Sequence, residues 1–250
     1  MFILNNSALL RLASMLSFFL LWYLFSVLID NTLLPGPFDV LKTIITEYKN
    51  SELFFHTFTT LKRVFLSFII AMIIGTSLGI LMGRKDKFNS FFDDWLILGL
   101  NIPALVIIIL CYVWFGLNEV SAILAVSLNK IPMVAVITRE GARSINKQYI
   151  DVAKFYNISK QKLLTKVIFP QLYPYLMSAA RSGLSLIWKI VLVVELLGRS
   201  NGVGFKINEF FSMFDTTSIL AYTLVFVLII MSIEWFLVKP TEKRLTEWRL

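Results

Sequence analysis

Four stretches of this chain run for eighteen to twenty-four residues without an Asp, Glu, Lys or Arg: Leu12 to Ile29, Val64 to Gly83, Trp95 to Asn118 and Thr216 to Ile233. An uncharged run of that length crosses about 30 Å of hydrocarbon as a helix. In lipid the backbone must satisfy its own hydrogen bonds, so a continuous apolar run of this kind has the helix as its solution. Two further stretches are nearly as apolar. Val120 to Thr138 carries Lys130, and Arg181 to Leu197 carries Lys189 and Glu195. The expected fold class is therefore an all-α integral membrane protein with six transmembrane helices. Composition agrees: 57% of the 250 residues are hydrophobic and 16% charged, against roughly 25% charged in a soluble domain.

The first span is too long for a signal peptide and no A-x-A site follows it, so it is read as retained. The net charge of +8 would suggest nucleic acid in a soluble protein. Here the charges lie between spans, where they report topology instead. With the N-terminus inside, fifteen of the 24 Lys and Arg fall on the inner side and six on the outer, Arg63 among the six. Both termini are expected in the cytoplasm. Cys111 is the one cysteine and His56 the one histidine. They support no disulfide, no metal site and no Ser-His-Asp set, and His56 reads as an ordinary interfacial residue. No G-x-x-x-x-G-K-[ST] phosphate loop occurs, so no ATP site or cofactor is expected.

The chain reads as one domain, 1–250, without internal repeats. Leu34-Pro-Gly-Pro37 is a rigid turn after the first span, and Asp39 to Tyr48 is expected to be a short amphipathic helix with Val40, Ile44 and Ile45 on one side. Ala71, Gly75, Gly79 and Gly83 recur at every fourth position, which lets another helix approach closely. Pro103 and Pro132 fall inside the third and fourth spans and are expected to kink them.

The most basic loop, 139–174, is polar yet carries helical apolar stripes. Tyr149, Val152, Ala153 and Tyr156 follow the i, i+3, i+4, i+7 pattern, and Leu163, Leu164, Val167 and Ile168 make a second set. Asn157 lies between them, a residue type that tolerates the left-handed conformation ending a helix. Ser159 is placed to cap the next one. The expectation is two short amphipathic helices joined by a turn at the inner face.

Within this loop, Asp151-Val-Ala-Lys-Phe-Tyr-Asn157 is followed thirteen residues later by Pro170. The segment resembles the E-A-A-x-x-x-G loop of ABC-importer permeases, with Asp151 where the family has Glu and Asn157 where it has Gly. From Leu34 to about Leu237 the chain is similar to the nitrate/sulfonate/taurine-type permeases. Their L-P-x-P turn is matched by Leu34-Pro-Gly-Pro37, T-L-x-R-V by Thr60-Leu-Lys-Arg-Val64, and W-F-G-L by Trp114-Phe-Gly-Leu117. Further on, Gly141-Ala-Arg-Ser-Ile-Asn146 matches G-V-R-S-V-D, Phe169-Pro-Gln-Leu-Tyr-Pro-Tyr175 matches L-P-x-x-x-P-Y, and Gly202-Val-Gly204 matches G-L-G.

The resemblance implies a type I importer permease fold, with its core at about 56–238. It implies a pore made by two permease copies above two ATP-binding subunits, fed by an extracytoplasmic solute-binding protein. It assigns ATPase coupling to Asp151, Ala153, Asn157 and Pro170. The implied substrate is a small anion such as a sulfonate, taurine or nitrate, with a vitamin precursor as the alternative. Lys189 and Glu195 are candidates for the translocation pathway, against the alternative that Lys189 snorkels and Glu195 sits near the outer interface. Lys130 and Arg181 are expected to snorkel toward the inner face. A membrane-embedded enzyme would need paired catalytic groups, and an ion-coupled transporter more often shows inverted repeats; the chain has neither.

Overall fold

A computed structural model describes residues 6–29, 34–50 and 52–246. The terminal residues on which the orientation of the two ends was read lie partly outside this range. Among the described residues every regular element is helical: α1 Asn6–Leu28, α2 Pro37–Lys49, α3 Glu52–Arg84, α4 Asp86–Asn101, α5 Ala104–Phe115, α6 Glu119–Arg143, α7 Lys147–Phe155, α8 Lys160–Leu163, α9 Phe169–Gly198, α10 Val203–Ser212, α11 Thr216–Ile233 and α12 Lys239–Thr246. π-helical turns at Leu164–Ile168 and Glu234–Val238 join α8 to α9 and α11 to α12.

The stripe of small residues forms the central seam. Ala71 is fully buried. A Cβ on Gly75 would stand 2.7 Å from Val134 Cβ, and one on Gly83 would stand 2.5 Å from Ala142 Cβ. A Cβ on Gly79 would stand 2.8 Å from Thr138 Cβ and closer still to the Ala135 carbonyl oxygen. These pairs advance in step, so α3 and α6 run parallel. Gly141 packs on the Tyr175 ring, while Val126 shares a core cluster with Ile187 and Val191. That order is reversed, so α6 and α9 are antiparallel.

Among the described residues, three helices are long and apolar enough to cross a membrane on their own: α3, α6 and the continuous Thr216–Glu242. The apolar part of α1, Ala13–Leu28, is shorter, and α9 is long but carries Arg181, Lys189 and Glu195. The third expected span differs from a kinked helix: α4 and α5 meet at 97°. The residue before a proline is pushed out of the α region, and Ile102 accordingly has ψ 124° before Pro103, which caps α5. The parallel course of α3 and α6 requires one net crossing between them, which the bent pair supplies. Pro132 sits inside a continuous α6, its ring packed over Gly99.

The amphipathic helix after the first span is present as α2. Val40 is fully buried, Ile44 packs beside Tyr222, and the Tyr222 hydroxyl donates to Glu47 Oε2 at 2.8 Å. Ile45, expected on the same side, faces outward.

Candidate functional site

Two places in the bundle gather the residues that the sequence singles out. The first is the segment between α6 and α9. Asn146 caps α7 by accepting from Gln148 N at 2.9 Å. At the other end Asn157 has φ +52°. The Ile158 N–H donates to Ala153 O at 3.0 Å and the Asn157 N–H to Lys154 O at 2.9 Å. This pair of bonds is the Schellman arrangement, with Asn157 at the left-handed position and Ile158 folded back toward Ala153. Ser159 then caps the following helix, accepting from Lys162 N at 3.4 Å. The turn expected from the sequence is therefore present.

The second short helix is not separate. From Lys160 the chain stays helical through the π turn and into α9. Pro170 follows the π turn, and the helix runs through it without a break. α7 leans on this base. A cavity of about 600 Å³ between them is lined by Asn146, Tyr149, Val152, Ala153, Ile158, Lys166, Pro170 and Gln171, among others. Gln171 Oε1 accepts from Asn146 N at 2.9 Å and fastens the start of α7 to α9.

Of the four sequence-predicted coupling positions, Ala153 is buried, Asn157 makes the turn and Pro170 lines the cavity. Asp151 is exposed, and its partner is Lys154 at 3.7 Å, a pair of little energetic weight. It does not hold the turn. Tyr149, Val152, Phe155 and Tyr156 are 54–80% exposed, an aromatic and aliphatic face on a helix of only nine residues.

The second place is the opposite end of the bundle. Glu195 has no exposed surface and Arg63 almost none. Arg63 donates to Glu195 Oε1 at 2.7 Å, to both carboxylate oxygens of Glu119 at 2.8 and 2.9 Å, and to the Asn201 carbonyl at 2.8 Å. Its remaining N–H faces Asn201 Oδ1. Glu195 also accepts from Thr60 Oγ1 and Gly204 N, each at 2.9 Å. Thr60 Oγ1 accepts from Val203 N at 2.8 Å, and His56 Nδ1 accepts from Gly202 N at 2.9 Å. A Cβ on Gly202, where φ is +110°, would fall on the Glu195 carboxylate. The α9–α10 loop is thus sewn to one face of α3.

This network corrects several expectations. Arg63 is not a loop charge and His56 is not an interfacial bystander: both are buried. Glu195, the pathway candidate, has no exposed surface and is held by Arg63, Thr60 and Gly204. His56, Thr60 and Arg63 share the i, i+4, i+7 spacing of one helix face, and that spacing was the available signal. Lys189 is exposed on α9, its ammonium 5.5 Å from the Trp188 ring. Arg181 pairs with Glu234 at 2.9 Å and Glu242 at 3.1 Å rather than snorkelling. Lys130 does not snorkel either: it is 7% exposed, at the middle of α6.

Residues 71–238 match the family of binding-protein-dependent transport system inner membrane components. The chain belongs to that family. The taurine transport system permease protein TauC of Escherichia coli (strain K12) is 28% identical over 226 residues, 88% of this chain and 82% of TauC. The bicarbonate transport system permease protein CmpB of Synechococcus elongatus (strain ATCC 33912 / PCC 7942 / FACHB-805) is 31% identical over 218 residues, 81% of this chain and 77% of CmpB. Among solved structures, the MetNI methionine ABC transporter in inward-facing conformations aligns with a TM-score of 0.65 at 17% identity, over 76% of this chain and 94% of that one. The fold is that of ABC-importer permeases. As a permease the chain is a transport component and not an enzyme, and permeases of its family work with ATP-hydrolysing and solute-binding partners.

Proposed function

We propose that this permease forms, with a second copy of itself, the membrane pathway of an importer for a small oxyanion, driven through α7 by a separate ATPase. The carrying observation is the face of Tyr149, Val152, Phe155 and Tyr156, which stands exposed on a helix too short to be stable alone. Such a face at a polar surface calls for a protein partner. Asn157 sets the angle at which α7 leaves the turn, Ala153 and Pro170 seat it, and Asp151 lies on its outer side to meet that partner. Two ATPase copies closing on ATP would drive two α7 helices together and reorient the pathway.

The oxyanion is drawn from the relatives, named for taurine, which carries a sulfonate, and for bicarbonate. An external binding protein would deliver it, and the exposed Lys189 would face it in the pathway. In this reading both ends and the α7 loop are cytoplasmic.

The test is Asn157→Val. A β-branched residue in the left-handed region is a genuine outlier, and the change costs on the order of 1–2 kcal/mol at the turn. Asn157→Gly is expected to keep full coupling. Asn157→Val is expected to insert normally but lose the co-purifying ATPase or its substrate-stimulated hydrolysis. Normal transport by Asn157→Val with the ATPase bound would remove α7 from the coupling role.

A further inference from the structure

Among the described residues, the buried charges are paired with one exception. Lys130 lies eleven residues from the start of α6 and thirteen from its end, about 17 and 20 Å along the helix. Its four-carbon stem is too short to carry the ammonium to either surface from there. The residue is 7% exposed, and no hydrogen bond or ion pair engages its ammonium among the described residues. Among the described residues, the sealed side-chain atoms without any partner are Thr57 Oγ1, Thr138 Oγ1 and Arg199 Nε, while Glu209 Oε2 has the Lys206 ammonium at 3.1 Å. Lys130 Nζ is not one of them, so its stem is packed while its tip keeps contact with open space.

The position of that opening follows from the helix registers. Ser67 of α3 meets Ser127, one turn before Lys130, and Gly75 meets Val134, one turn after it. On the other side, Gly141 touches Tyr175 and Val126 clusters with Ile187 and Val191. Antiparallel counting then sets Lys130 level with the Gly183–Ile187 turn of α9. Gly183 is buried, yet a Cβ there would meet nothing within 4 Å. Room is thus left inside the bundle at the depth where an unpaired cation sits.

We propose that Lys130 is an oxyanion-binding residue of the translocation pathway, its ammonium completed by the passing substrate rather than by a protein carboxylate. A buried ammonium without a counter-charge is costly. A sulfonate or carbonate oxygen offers both the charge and the acceptors that the ammonium lacks. In a low-dielectric site this attraction far exceeds its value in water. The assignment rests on the oxyanion reading above. It separates Lys130 from Arg63 and Arg181, which are neutralised within the chain.

The experiment uses the whole transporter reconstituted with its ATPase and binding protein, with taurine, ethanesulfonate and bicarbonate as probes. Lys130→Met is expected to raise KM by at least about tenfold, the weight of one charge-assisted contact, with the complex still assembled. Lys130→Arg is expected to keep most of the affinity. In a Cys111→Ser background, Lys130→Cys is expected to react with 2-aminoethyl methanethiosulfonate, to be shielded by the transported probe, and to recover uptake once the reagent restores a positive charge. Uptake by Lys130→Met at the unaltered KM, or a thiol at this position that stays inert during ATP turnover, overturns the role of Lys130 alone. Failure of the unaltered transporter to take up any of the three anions overturns the oxyanion reading, and the role of Lys130 with it.

Discussion

Arg63 and Glu195 are separated by 132 residues and meet at 2.7 Å with almost no exposed surface. Removing one partner of a buried pair leaves an uncompensated charge and costs about 3–5 kcal/mol. Arg63→Met should therefore lower the thermal midpoint in detergent sharply. It strands Glu195 and also frees Asn201 from its anchor. Glu195→Gln should cost less, because Arg63 keeps both oxygens of Glu119. The double variant Arg63→Met with Glu195→Gln should be more stable than Arg63→Met alone. A loss in the double variant equal to the sum of the two single losses would mean that the pair carries no coupling energy. Charge counting put Arg63 in an outer loop because counting sees sequence neighbours, and the partners of Arg63 lie on α6, α9 and the loop after α9. Asn157 was legible for the opposite reason: its left-handed turn is a local property, set by the residue type and the stripes on either side.

At the scale of elements, the α3–α6 seam decides how the bundle closes. Gly79 faces the Ala135 carbonyl and Thr138 Cβ at a distance that no added carbon can share. Gly79→Leu should push the two helices apart, an overpacking cost of about 1–3 kcal/mol or more, read as a loss of folded protein in detergent. Gly183→Ala is the control. Its Cβ meets nothing within 4 Å, and alanine in a helix interior is favoured by about 0.5–1 kcal/mol over glycine, so this variant should fold at least as well. The seam could be read in advance because a small residue at every fourth position is a helical signal. The break at Pro103 could not: a proline in an apolar run is compatible with a kink or a full turn, and packing around the 97° bend chooses between them. The union of α8 with α9 was hidden in the same way. Ser159 read as the start of a separate short helix, yet the π turn carries that helix through Pro170 and into α9.

For the whole molecule, the helix directions constrain topology independently of charge. α3 and α6 run parallel and α6 and α9 antiparallel, so the α4–α5 pair makes one crossing and the α7 segment returns to the side on which α6 ends. Two faces result. One carries the α7 loop with Arg84, Lys85 and Lys87, and the other carries the Arg63 network and α10. Geometry relates the faces to each other but leaves open which one meets the cytoplasm. The proposed orientation rests on the excess of Lys and Arg: fifteen against five, once the buried Arg63 leaves the outer count of six, favours the α7 face as the inner one. Asn146 gives a clean probe. It is exposed at the start of α7, and its side chain only caps that helix, so a cysteine there should cost about 1 kcal/mol at most. In a Cys111→Ser background, Asn146→Cys should be labelled by a membrane-impermeant maleimide in inverted vesicles and be silent in intact cells. Labelling in intact cells would turn the bundle over. The α7 face would then lie opposite the compartment that holds ATP, and the proposed coupling would fall with the orientation.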